Sequence, residues 1–230
     1  MIKTLGNNIV SAFTGGNPVK AIYAYGQLVW PVTIESSYYI KWTPSSAEGQ
    51  FNIDGTTYDL STFSGLYYWS TGVINSSAFQ NNYSIQSIET NATSIGIGAF
   101  MSCSSLSQVS LPICGYIGAY AFESCSSLTK ISLPMCEFIR VRAFEYCRAL
   151  SQVNLPICSY IASAVFRYCS SLSRITIGYS SVCSLYSTNV FDDTQITSST
   201  GSIYVPASLV DAYKSAENWS VYSNIIYPIN

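Results

Sequence analysis

The stretch Ile117-Gly-Ala-Tyr-Ala-Phe122-Glu-Ser-Cys125-Ser-Ser-Leu128-Thr-Lys-Ile131-Ser-Leu133-Pro134-Met-Cys136 decides the fold, because the chain writes it repeatedly. Cys103, Cys114, Cys125, Cys136, Cys147, Cys158 and Cys169 lie 11 residues apart, and Cys183 follows after 14. Other columns share twice that period. A Phe preceded by Ala or Val recurs at Phe79, Phe100, Phe122, Phe144, Phe166 and Phe191. Leu106, Leu128, Leu150 and Leu172 form a second column, and Val109, Ile131, Val153 and Ile175 a third. Ile95, Ile117, Ile139 and Ile161 open successive units, which close on Pro112, Pro134 and Pro156. A fixed period of this length marks stacked structural units.

The unit reads I-x-x-x-A-F-x-x-C-x-x-L-x-x-V/I-x-L-P-x-C-x, a leucine-rich-repeat pattern. In L-x-x-V-x-L the alternation points Val and the last Leu to one side of a short strand. Proline then ends the strand. In Phe-x-x-Cys-x-x-Leu the apolar residues lie three apart, the spacing of a single helical or 3-10 turn. One unit cannot bury its own apolar face, so coils must stack and share it. The expected fold is a right-handed leucine-rich-repeat solenoid, β-dominated with short helical or 3-10 turns. About six coils at about 4.8 Å per strand give a slab roughly 29 Å long.

Composition narrows the chemistry. Charged residues are 10% of the 230 and histidine is absent. Without histidine there is no Ser-His-Asp or Cys-His nucleophile system and no His-ligated metal. No GxxxxGK[ST], GxSxG or HExxH motif occurs. We therefore expect no catalytic residues, no cofactor, no metal site and no enzyme. A net charge of −2 gives no reason to expect a nucleic-acid partner. Residues 99–185 hold six basic and three acidic side chains, too small an excess for a phosphate-backbone footprint. No run of about 18 apolar residues exists, so membrane insertion is not expected. Asn7 and Asn8 interrupt the apolar start, and no secretory leader is read there.

The eight cysteines lack the close pairs of a metal knuckle. They read as interior columns, Cys103/Cys125/Cys147/Cys169 and Cys114/Cys136/Cys158, of small buried thiols. Vertical disulfides are the rival, since stacked Cα atoms about 4.8 Å apart lie within bonding range.

Ile117-Gly-x-x-Ala121-Phe122-x-x-Cys125-Ser-Ser-Leu128-Thr-x-Ile131-x-Leu133-Pro134 and its neighbours resemble the BspA-like leucine-rich repeats of bacterial proteins, over about residues 74–206. Ile203-Tyr-Val-Pro206 through Tyr213 to Trp219 resembles the closing cap of such arrays. Residues 74–94 depart from the pattern with Asn82 at the cysteine position, and the unit around Phe191 also lacks it. The resemblance implies an adhesion or binding protein at a cell surface or secreted.

Three segments are expected: a β-hairpin segment and cap over 1–73, the repeat array over 74–206, and a C-terminal cap over 207–230. Apolar runs on either side of Gly26-Gln27 suggest a hairpin. Asp54-Gly55 between alternating strands signals a type I′ turn. Tyr38, Tyr39, Trp42, Tyr67, Tyr68 and Trp69 would cover the first coil or form a small core. From Pro206 to Ser215 a short helix would place Leu209, Val210 and Tyr213 against the last coil. The piece around Ala24–Trp30 also resembles leader segments of phage tail-associated and gut bacterial surface proteins.

Two surfaces are candidates for a partner. The outward strand positions form two columns: Gln108, Lys130, Gln152 and Arg174, then Ser110, Ser132, Asn154 and Thr176. They vary between coils while the inward columns hold constant, as on a binding face carried by a fixed scaffold and equally on any solvated strand face. Tyr116, Phe138 and Tyr160 precede each unit-opening Ile, which points the rings outward, stacked one coil apart. Such a row suits a sugar ring or a protein, or covers the turn. The expected function is a non-enzymatic binding or adhesion module contacting a protein or glycan, as a bacterial surface adhesin. A phage virion or tail-associated recognition protein and a purely structural assembly protein are the alternatives.

Overall fold

The computed structural model describes residues 72–198 and 200–229, and the backbone alone of the strands within 22–69. The strands before the array are β1 (Ile22–Ala24), β2 (Gln27–Trp30), β3 (Tyr38–Pro44), β4 (Gln50–Ile53), β5 (Thr56–Asp59) and β6 (Leu66–Trp69). β1 and β2 pair antiparallel with Ala24 opposite Gln27, and β4 and β5 pair with Ile53 opposite Thr56. Both expected hairpins are therefore present in the strand pairing. Their turn residues, and the aromatic side chains expected to cover the first coil, lie outside the described residues.

The coils are built from two strands each. The longer ones are β8 (Ile85–Thr90), β10 (Gln108–Ser110), β12 (Lys130–Ser132), β14 (Gln152–Leu155), β16 (Arg174–Ile177) and β18 (Ser202–Val205). The shorter ones are β7 (Val73–Ile74), β9 (Ser94–Ile95), β11 (Tyr116–Ile117), β13 (Phe138–Ile139), β15 (Tyr160–Ile161) and β17 (Ser184–Leu185). The short strands form one continuous parallel sheet of six. The long strands form two, β12-β10-β8 and β14-β16-β18, paired in register at the 22-residue period: Gln108 with Lys130 and Gln152 with Arg174. β3 adds antiparallel to β8, with β6 beyond it, so the N-terminal strands occupy the first coil's sheet edge. β19 (Ile226–Pro228) adds parallel to β18 at the other end.

The interior is a set of ladders. Phe79, Phe100, Phe122, Phe144, Phe166 and Phe191 stack nearly parallel, with centroid separations of 4.9, 5.1, 5.3, 5.5 and 5.9 Å. The Leu106 and Ile95 columns are fully buried beside them. The Phe-Cys-Leu segment turns as its spacing requires: Cys125 N donates to Phe122 O at 3.2 Å and Leu128 N to Cys125 O at 3.0 Å. Between these local bonds, Tyr120, Phe122 and Ser124 donate to carbonyls of the next coil. Aiming alternate N–H groups outward takes left-handed backbone at two positions per coil, as at Tyr120 (φ 60) and Ser124 (φ 60).

All eight cysteines are buried and free. The first column donates its S–H groups across coils: Cys103 to Phe79 O, Cys125 to Phe100 O, Cys147 to Phe122 O and Cys169 to Phe144 O, at 3.0–3.1 Å. Burial pushes Cys103 and Cys169 up to about 12, and Cys125 and Cys147 well above the usual thiol range, so they remain donors. Asn82 and Thr194 occupy the same place in the terminal coils, both buried. Cys183 completes the second column beside Cys158, which the longer spacing before it had concealed.

The last coil is closed by aromatics. The 3-10 turn Ala207–Leu209 leads into α1 (Val210–Ser215), which buries Tyr213 as expected and packs Leu209 and Val210 against the core. Trp219 and Tyr222 complete the plug against Phe191. Tyr213 Oη accepts from Cys183 N at 2.9 Å, and Trp219 Nε1 donates to Cys183 O at 2.6 Å. Among the described residues no helix is long and apolar enough to cross a membrane.

Candidate binding surface

Strand alternation turns one face of each long strand into the core and the other outward. In β14 the pattern is Gln152 exposed, Val153 buried, Asn154 exposed and Leu155 buried. Stacked in register, the outward residues line a groove of about 830 Å³. All eight expected strand-face residues line it: Gln108, Ser110, Lys130, Ser132, Gln152, Asn154, Arg174 and Thr176.

The structure extends both columns. Ser87 stands opposite Gln108, and Glu89 opposite Ser110. At the far end Ser202 and Tyr204 stand opposite Arg174 and Thr176, and Tyr227 follows Tyr204. Arg174 Cζ lies 4.0 Å from the Tyr204 ring centroid, and that ring meets Tyr227 at 6.0 Å. The sequence period did not reach these residues, because the step into β18 is longer than the repeat and β18 belongs to the cap motif.

One inward residue departs from expectation. Ile131 was expected in the core with Val109, Val153 and Ile175, and it packs against the core but is only partly buried. Its strand lies at a seam. Among the described residues no register pair joins β12 to β14. The hydroxyl ladder along the strand entries breaks at the same place: Thr129 Oγ1 donates to Ser107 O at 3.0 Å and Ser173 Oγ to Ser151 O at 3.4 Å.

The aromatic row is also outward. Tyr116 and Phe138 are exposed and Tyr160 half-buried, and strand register sets them one coil apart. The expected ring-on-ring stack does not form among the described residues; Tyr160 instead meets Tyr186 edge-on at 6.5 Å. Two-residue strands fix the backbone and leave each ring free to turn to its own neighbours.

A third feature was not legible from composition. Glu145 is buried and receives Arg167 Nε at 2.6 Å, with Arg142 Nε 3.4 Å away. Next to it, Tyr146 and Tyr168 stack at 4.6 Å, with Arg148 and Arg167 over their rings. This group ties the fourth and fifth coils together on the side opposite the groove's strands. Burial and then the Glu145 charge raise the pKa of Glu123, while Arg142 and Arg167 oppose them.

Residues 93–216 match the family described as BspA type Leucine rich repeat region, in 6 copies. Similar solved structures include a leucine rich cell surface protein from Faecalibacterium prausnitzii A2-165, at 22% identity and TM-score 0.44, over 68% of this chain and 45% of that one. A leucine-rich repeat protein from Bacteroides ovatus ATCC 8483 matches at 27% identity and TM-score 0.48, over 63% of this chain and 36% of that one. The pneumococcal vaccine antigen PcpA matches at 18% identity and TM-score 0.41, over 80% and 48%. The chain thus spans less than half the length of each of these. No curated protein matches it. The matched region takes in more than half of the chain and the coil ladders from Phe100 to Phe191, so the chain belongs to the BspA-type leucine-rich-repeat family.

Proposed function

We propose that the chain is a non-enzymatic binding module whose strand-face groove contacts a partner protein, in the setting of a bacterial surface adhesin. One observation carries this reading: side chains that differ from coil to coil converge on a single groove, while the ladders beneath them are nearly invariant. A scaffold of that kind holds contact residues at fixed spacings and spends little ordering entropy on binding. The array 74–206, with its two end segments, is the unit that presents the groove.

The test is a screen of the full chain against arrayed proteins and glycans, run beside a variant with Lys130→Ala, Gln152→Ala and Arg174→Ala. These side chains are exposed, so the variant keeps its fold. Protein partners held by the parent and lost by the variant support the reading. Partners held equally by both contradict it, and hits confined to glycans move the ligand class.

A further inference from the structure

The groove carries charge unevenly. Lys130 and Arg174 rise from its centre and far half, and among the described residues neither has an ion-pair partner. Glu89 lies at the opposite end. One strand, β14, separates the two cations, and the Arg174 guanidinium leans away from Lys130 onto Tyr204 of β18. Arg174 is held in place: its guanidinium lies on the Tyr204 ring, which leaves the edge N–H groups to receive a carboxylate in two-point fashion. Between the cations runs the seam, where β12 and β14 form no register pairs and Ile131 is partly uncovered.

We infer that the groove's partner is an acidic, extended polypeptide segment laid along the solenoid axis, with carboxylates on Lys130 and Arg174. This deepens the groove reading above and rests on it. Charge complementarity selects acidic side chains at the two cations. A polypeptide, the partner class of the groove reading, carries such carboxylates on its Asp and Glu side chains. In a polyproline II segment residues three apart recur on one side about 9 Å apart, so acidic side chains at that step present successive carboxylates to the two cations.

The probe is a fluorescent twelve-residue peptide with Asp at every third position on a Pro-Ser background, titrated with the full chain. Matched peptides carry Asn or Lys in place of Asp. The Asp peptide should bind about tenfold or more tighter than the Asn peptide, and the Lys peptide weakest. Lys130→Gln and Arg174→Gln should each weaken the Asp peptide by about fivefold, and raised salt should do the same. Arg148→Gln, away from the groove, should change nothing. Equal binding of the Asp and Asn peptides, or none of the Asp peptide, overturns the acidic assignment. If the Asn peptide then binds and Gln152→Ala weakens it, the groove reading stands alone; if groove substitutions change no binding at all, both fall. Dextran sulfate binding more tightly than the Asp peptide, through the same two cations, would overturn the polypeptide in favour of a polyanionic glycan.

Discussion

Cys125 shows why a thiol recurs in every central coil. Its S–H reaches Phe100 O at 3.1 Å in the preceding coil, and its side chain is fully buried. Alanine would leave that contact unmade and a small void beside the phenylalanine stack. Cys125→Ala is expected to lower unfolding free energy by about 1–3 kcal/mol, whereas exposed Ser126→Ala should stay within about 0.5 kcal/mol, both read by chemical denaturation. Glu123 behaves oppositely. Its folded pKa is raised by burial and by Glu145, so its charge disfavours the folded state. That penalty is absent below the ordinary glutamate range near pH 4.3 and grows as pH rises through the folded value. Glu123→Gln should therefore raise the melting temperature at pH 7 and leave it unchanged near pH 4. An equal effect at both pH values would contradict the assignment.

Each coil was largely legible at the scale of its elements, because the rules that place inward residues depend on spacing alone. Period two put Val153 and Leu155 inward, and a three-residue step set the Phe-Cys-Leu turns. The seam between β12 and β14 was not legible, since Ile131 is as apolar as its column mates and only strand pairing distinguishes it. Tyr204 and Tyr227 were missed because the strand-face columns continue onto the cap, outside the repeat. Nor did composition reveal how closely coils approach at Gly118, where a Cβ would lie 2.7 Å from Gly96 C and Ile95 O. Both are backbone atoms in a paired segment and have little room to retreat. Gly118→Ala is expected to cost about 1–3 kcal/mol in a denaturant titration, the size of a core overpacking.

The whole molecule is an inert, thiol-lined stack that holds a variable face. Seven of its eight thiols have pKa values raised above the ordinary range, chiefly by burial, with a Cys158 contact foremost at Cys183. The folded state keeps protons that an unfolded chain releases above pH 8.5, so stability is full below that value and falls as pH rises. Each such thiol adds to that loss as pH rises above 8.5, so seven together lower the stability markedly. Denaturation midpoints should collapse between pH 8.5 and 10, and a midpoint unchanged at pH 10 would contradict the buried thiol columns. The same order that silences the cysteines keeps β10 in register with β12 and β14 with β16, which sets Gln108 beside Lys130 and Gln152 beside Arg174 along the groove. Hydroxyl-radical footprinting of the full chain, alone and with a bound partner protein, tests that surface most directly. The account predicts protection at Lys130, Arg174, Tyr204 and Tyr227 with Met135, Phe138 and Tyr186 still reactive at their free rates; protection confined to Met135, Phe138 and Tyr186 would contradict it.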